Sequence, residues 1–281
     1  MISVQDLRFS YTDKPFIEGV TFGVARGEIF GFLGPSGAGK STLQKILTGL
    51  IKKYSGQVTV NGQDVCNHNG SFHESIGVDF EFPSLYEKLT ARENLRFFGS
   101  LYQKCRDMDE LLDSVGLLSE ADKTVADYSK GMKSRLNFIK ALLHDPDILF
   151  LDEPTSGLDP SNARNMKDII LAEKARGKTI ILTTHNMYDA TELCERVAFI
   201  IDGNIRALDT PRNLIMSKGA STIEYVYLNA GKEITGQTAL NQTGSDTLLQ
   251  NLLRENRLLA IHSSEPTLND IFMEITGRRL Q

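Results

Sequence analysis

The run Gly34-Pro35-Ser36-Gly37-Ala38-Gly39-Lys40-Ser41-Thr42 places glycines, a lysine and adjacent hydroxyls at a spacing that could cradle a chain of phosphates. Glycines let successive backbone N–H groups curl around an anion, and a helix starting at Lys40 would add partial positive charge at the same point. Lys40 can bridge β- and γ-phosphates, and the Ser41 hydroxyl can ligate Mg²⁺. A second constellation, Asp152-Glu153, ends the apolar run Ile148-Leu149-Phe150-Leu151. Asp152 is placed to hold Mg²⁺ directly or through water. Glu153 would face the γ-phosphate and orient or deprotonate the attacking water, a role typically worth about 10²–10⁴-fold in rate.

The elements that position these groups follow from the hydrophobic pattern. Phe30-Gly31-Phe32-Leu33 reads as a buried strand entering the glycine-rich turn, and Leu43, Ile46 and Leu47 keep helical spacing after it. Strand, loop and helix N-terminus are the context that the P-loop pattern requires. In an open parallel sheet, ligands bind beyond the carboxyl ends of strands, where Asp152 and Glu153 would emerge. Short apolar runs alternate with longer helical patterns to residue 210, the reading of an α/β protein with a largely parallel sheet. Residues 179–183 and 197–201 supply further strands, the second ending in an Asp202-Gly203 turn.

The opening differs. Ile2, Val4 and Leu7, and Gln57-Val58-Thr59-Val60 followed by Asn61-Gly62, read as antiparallel strands, with Asn-Gly a strong hairpin signal. From 84 to 145 no strand pattern stands out. Leu95, Phe98, Leu101 and Tyr102 share one helical stripe, and Met132, Leu136, Ile139 and Leu143 another, which predicts a helical insertion. The composition shifts after Pro211. Residues 221–228 alternate with Ile223, Tyr225 and Tyr227 on one face, and Leu248, Leu249, Leu252 and Leu253 form a helical stripe. Thr267 and Asp270 make a capping-box pattern ahead of a helix with Leu268, Ile271, Phe272 and Ile275 on its apolar face. The expected architecture is α/β: a P-loop NTPase core with an antiparallel β-subdomain and a helical insertion over 84–145, all within 1–218, then a small α+β appendage over 219–281.

Composition narrows the function. A chain of 281 residues with 41% hydrophobic and 24% charged residues is ordinary globular material. Its net charge of −5 lacks the electrostatic footprint of a nucleic-acid partner. No apolar run approaches the ~20 residues a bilayer-crossing helix needs, and the N-terminus lacks a basic-then-apolar leader, so the expectation is a soluble, cytosolic chain. Cys66, Cys105 and Cys194 form no CxxC pair and read as reduced thiols. Cys66, His68 and His73 fit no standard zinc spacing.

Together these residues resemble the ATP-binding subunits of ABC transporters, and further motifs occur in that family's order. Tyr128-Ser129-Lys130-Gly131-Met132 stands where the signature belongs, Ser156-Gly157-Leu158-Asp159-Pro160 matches the D-loop, and His185 matches the switch histidine. Tyr11 sits where the family's adenine-stacking aromatic is found. The resemblance implies ATP and Mg²⁺ as ligands. Nucleotide contacts would come from Tyr11, Gly34, Pro35, Ser36, Gly37, Ala38, Gly39, Lys40, Ser41, Thr42, Ser129, Gly131 and Asp159. Metal contacts would come from Ser41, Glu81 and Asp152, and catalytic roles from Glu153 and His185, the histidine donating to a γ-phosphate oxygen. Ser129 and Gly131 open a helix, where hydroxyl and backbone N–H can meet an anion. The family implies that this anion is the γ-phosphate of another protomer. With one P-loop and one signature in the chain, such a composite site demands dimerisation, with an identical copy or a paralogue.

Two departures bear on this. The usual Leu-Ser-Gly-Gly-Gln changes at Tyr128, Lys130 and Met132 but retains Ser129 and Gly131. Glu81, within Ile76-Gly77-Val78-Asp79-Phe80-Glu81-Phe82-Pro83-Ser84-Leu85-Tyr86, occupies the position where the family usually has Gln. Glutamate is a harder metal ligand and adds negative charge, so Glu81 is expected to make ATP affinity more dependent on free Mg²⁺. The implied function is an ATPase subunit driving a separate integral membrane permease through an ATP-sandwiched dimer. The permease would hold it at the inner face of the cell membrane, touching the helical insertion, Glu81 and the following loop. The terminal run Pro266-Thr267-Leu268-Asn269-Asp270-Ile271-Phe272-Met273-Glu274-Ile275-Thr276-Gly277 resembles the tail of ATPases serving exporters of drugs, antibiotics or polysaccharides. The alternative is a soluble ABC-type ATPase without a permease. Against its DNA-repair branch, about 110 residues without sustained heptads separate the P-loop from the acidic strand. Against its ribosome-binding branch stands the single ATPase module.

Overall fold

Alternating apolar residues make the first strands. β1 (Ile2–Phe9) buries Ile2, Val4, Leu7 and Phe9, and β2 (Ile17–Val24) buries Ile17, Val20, Phe22 and Val24. In this computed structural model, which describes residues 1–68, 70–218, 222–264 and 266–277, the two pair antiparallel with Ile2 opposite Val24. β3 (Ile29–Leu33) is apolar on both faces and wholly buried, as a central strand covered on both sides must be. It delivers the chain through the glycine-rich turn to α1 (Lys40–Leu47). β4 (Ser55–Val60) and β5 (Gln63–Asp64) form the Asn61-Gly62 hairpin, both turn residues having positive φ as a primed turn needs. The first sheet runs β2-β1-β4-β5.

After α2 (Gly70–Ser75) comes β6 (Ile76–Asp79), a strand too short and too interrupted by Gly77 to register as a periodic pattern. That glycine lies against the next helical layer: a Cβ there would come within 2.1 Å of the Ala141 carbonyl oxygen. α3 (Ala91–Gly99), α4 (Met108–Ser114) and α5 (Lys130–Leu142) fill the helical insertion. The stripe expected to reach Tyr102 stops earlier. The Ser100 hydroxyl takes up the Phe97 carbonyl at the end of α3, and Leu101 is 64% exposed.

β7 (Ile148–Asp152), α6 (Pro160–Ala175), β8 (Thr179–Thr184), α7 (Met187–Leu193), β9 (Arg196–Ile201) and β10 (Asn204–Asp209) complete a second sheet of order β10-β9-β3-β8-β7-β6. Strands β9, β3, β8, β7 and β6 run parallel. Register matters most for function: Leu33 lies opposite Thr184 and Asp152 opposite Thr183, so β3, β8 and β7 finish at one level. Phe22 of the antiparallel sheet meets Phe30 and Phe32 of the parallel one at ring-centroid distances of 5.7 and 5.3 Å, within one hydrophobic core.

The chain divides into two compact units at Leu208, not between 218 and 219. The helix α8 (Pro211–Lys218) falls with the second unit because it packs on that unit's last helix. That unit continues with β11 (Thr222–Asn229), β12 (Lys232–Ala239), α9 (Thr247–Arg254), β13 (Leu258–Ser264) and α10 (Leu268–Thr276). Its antiparallel sheet has the order β12-β11-β13. Tyr225, Leu249 and Leu252 form its core, with Ile223, Tyr227 and Leu258 against them, whereas Leu248 and Leu253 face outward. Ser221, expected in the first strand, lies outside the described residues. Thr267 caps α10 as expected, accepting from Asp270 N at 3.2 Å.

Candidate nucleotide site

Gly34 starts the loop where the backbone passes close to its neighbour: a Cβ there would sit 2.2 Å from the Ile200 carbonyl oxygen. Gly39 precedes α1 at φ +112°, a conformation that side chains disfavour. α1 carries no side-chain cap, and the first N–H groups of a helix have no intrahelical partner, so they can bond an anion. Lys40 folds into the loop and donates to the carbonyls of Gly34 (2.7 Å) and Pro35 (3.1 Å). Burial lowers the pKa of its ammonium, and Glu153, Asp152 and Glu81 oppose the shift.

Asp152, buried at the end of β7, accepts from the Ser41 hydroxyl on one oxygen (3.2 Å) and from the Thr183 hydroxyl on the other. Glu153 leaves the strand at φ +53°, in the left-handed region that costs a residue with a Cβ roughly 1–2 kcal/mol. Its N–H bonds the Thr183 carbonyl at 2.9 Å. Its carboxylate accepts from the Thr184 hydroxyl (3.1 Å) and lies 2.8 Å from Nδ1 of His185. Non-glycine strain held by this many contacts is typical of functional positions.

Ser36, Gly37, Gly39, Lys40, Ser41, Thr42, Glu81, Asp152, Glu153, Ser156, His185 and Phe16 line an open cleft of about 220 Å³. Phe16 was not singled out by the sequence, because no motif marks it. Tyr11 was, and it stands close by, its hydroxyl 2.9 Å from that of Thr42 and its ring 5.6 Å from Phe16. It is 60% exposed and does not line the cleft.

Ser129, Gly131 and Asp159 do not line this cleft either. Ser129 caps α5, its hydroxyl accepting from Met132 N at 3.2 Å. Asp159 caps α6 by accepting from the N–H groups of Ser161 and Asn162, both at 3.1 Å. Hydrogen bonds from the Asn162 side chain and backbone hold its carboxyl below the usual range. A second cleft, about 90 Å³, shares Glu81, Asp152, Glu153 and Ser156 with the first and adds Lys130, Ser134 and Asn137 from α5. Lys130, a departure from the usual signature, thus lines one cleft together with Glu81, Asp152 and Glu153.

The hydroxyl of Ser41 and the carboxylates of Asp152 and Glu81 are hard oxygen donors that suit Mg²⁺. Among the described residues no group of three or more His, Cys, Asp or Glu side chains is arranged to hold a metal. Such a set suits an ion that takes its other ligands from substrate phosphates and water. His68 instead stacks on Phe72 at 4.5 Å and meets His73 edge-on. No helix among the described residues is long and apolar enough to cross a membrane.

A family model described as ABC transporter matches residues 17–156. A fluoroquinolones export ATP-binding protein of Mycobacterium tuberculosis is 48% identical, over 100% of this chain and 94% of that protein. A Nod factor export ATP-binding protein I of a Rhizobium species is 36% identical, over 100% of this chain and 98% of that protein. A solved ATP-binding subunit of an ABC transporter superposes with a TM-score of 0.71 at 31% identity, covering 77% of this chain and 92% of that one.

Proposed function

This chain belongs to the ATP-binding, ATP-hydrolysing subunits of ABC transporters, and from that premise we propose how its site works and what it drives. Gly34–Gly39, Lys40 and the start of α1 hold the β- and γ-phosphates. Ser41, Asp152 and Glu81 would hold Mg²⁺, which supplies charge neutralisation at the phosphate oxygens. Glu153 orients or deprotonates the attacking water, kept in place by its own backbone turn and by Thr184. His185, bonded to Glu153 through Nδ1, has its second ring nitrogen for a γ-phosphate oxygen. Phe16 forms the aromatic wall for the base, with Tyr11 beside it outside the cleft lining.

The observation that carries this reading is the meeting of Lys40, Asp152, Glu153 and His185 in one cleft although they come from three separate strand ends. The tips of α5 and α6 do not line that cleft. This supports a composite site in which Ser129, Gly131 and Asp159 serve the nucleotide of a second subunit, identical or paralogous. Phe82, 79% exposed on the loop after Glu81, with Tyr86 and Phe97 on the helical insertion, offers apolar contact to an integral membrane permease. That permease would keep the chain peripheral at the cytoplasmic face of the membrane, and the relatives' export roles support outward transport.

Pull-down of the tagged chain from solubilised membranes, followed by sedimentation with Mg²⁺-ATP, tests the assembly. The expected result is recovery of a multi-span membrane protein and an ATP-dependent dimer. Recovery of soluble partners alone, with monomer at saturating ATP, would favour a permease-free ATPase.

A further inference from the structure

Helix α5 carries an asparagine, Asn137, into a buried position beside the loop that bears Glu81. The side chain is 2% exposed, and all of its hydrogen-bonding groups face that loop or its neighbours. Nδ2 donates to the Asp79 carboxylate at the end of β6 and to the Phe80 carbonyl at 3.2 Å. Oδ1 accepts from Ser84 N at 3.3 Å and from Lys140 Nζ at 2.7 Å. Lys140 also donates to the Ser84 carbonyl at 3.1 Å, over the face of Phe98.

One side chain thus grips the loop on both sides of Glu81, at Phe80 and at Ser84. An apolar residue of similar volume would fill the space but leave the buried Asp79 carboxylate without this partner, and burying unpaired polar groups is costly. The next turn is held the same way: Asn94 of α3 accepts from Tyr86 N at 2.8 Å and donates to the Tyr86 carbonyl at 3.0 Å. Between the two grips Glu81 reaches both clefts and Phe82 stands exposed. Ser129 caps the same continuous helix, only about two turns from Asn137.

We propose that Asn137 is a positioning residue that joins loop 80–84 to α5, so that Glu81 and the helix tip at Ser129 move as one body. The proposal rests on the reading of Glu81 as a metal contact and Ser129 as a phosphate contact. It adds the joint between them: a shift of Glu81 when Mg²⁺-ATP binds is delivered to the tip through a buried amide, and a push on Phe82 is delivered to both.

The test compares the full-length chain with Asn137→Ala in two measurements. Hydrogen exchange at residues 80–85, without nucleotide, should be about tenfold faster in the variant, the size of one lost hydrogen bond. Calorimetric ATP titrations across a Mg²⁺ series should give a Mg²⁺ midpoint raised by a similar factor. A smaller folded fraction would not move that midpoint. Loop exchange within twofold of wild type overturns the joint, whatever Glu81 does. Faster loop exchange in Asn137→Ala, together with an unchanged Mg²⁺ midpoint in Glu81→Gln, leaves the joint standing and removes the metal reading of Glu81. If Asn137→Ala does not fold, Lys140→Met removes the bridge to Ser84 and should shift the exchange in the same direction by a smaller factor; no shift there overturns the joint.

Discussion

The carboxyl edge of the parallel sheet and the tips of α5 and α6 both present polar groups suited to an anion, yet they are built in opposite ways. At the sheet edge Ser41, Asp152, Thr183, Thr184, Glu153 and His185 bond to one another across the ends of β7 and β8 and the start of α1. At the helix tips Ser129 and Asp159 bond within their own first turns. The edge is preorganised by long-range register. The tips are finished locally, and Ser129 and Asp159 do not line the cleft of their own chain. That difference divides the expected effects of mutation between chemistry inside one subunit and assembly of two.

The largest effect belongs to the edge. Glu153→Gln should lower hydrolysis by about 10²–10⁴-fold while leaving ATP binding intact, read by phosphate release against equilibrium binding. Undiminished turnover would place the base elsewhere. Lys40→Ala removes the ammonium held in the loop and should weaken ATP binding by about 100-fold, as expected for lost charged hydrogen bonds. Ser129→Ala sharpens the contrast. ATP affinity of the isolated subunit should be unchanged, while ATP-driven dimerisation weakens about tenfold and stability drops by about 1 kcal/mol for the lost cap. A fall in monomer affinity would erase the distinction between edge and tip. The smallest effect is expected from Glu81→Gln, which should flatten the dependence of ATP affinity on Mg²⁺ by a few-fold, because a neutral amide is a weaker ligand for a hard cation.

Much of this was readable from the chain alone where signals are contiguous. The glycine-rich turn between an apolar strand and a helix, the strand ending in Asp152-Glu153, the Asn61-Gly62 hairpin and the Thr267 capping box all depend on neighbours a few residues apart. The departures have equally specific causes. β6 is short and carries Gly77, so no alternation accumulates. α3 ends at Gly99, so Leu101 and Tyr102 fall outside the helix despite their spacing. Residues 211–218 look like an extension of the core, but their helix packs on α10 and falls with the second unit.

Local chemistry therefore reveals which residues can bind phosphate, turn the chain or cap a helix, since those abilities reside in side-chain type and short spacing. It does not reveal that β8 lies between β3 and β7, and with it the placing of Thr183 behind Asp152 and of Thr184 beside Glu153. Nor does it reveal that Phe16 walls the cleft or that Asn137 clasps a loop that precedes it by more than fifty positions in the chain. Strand order and helix docking are chosen by burial of the whole core, so contacts between distant residues emerge only when that core is assembled.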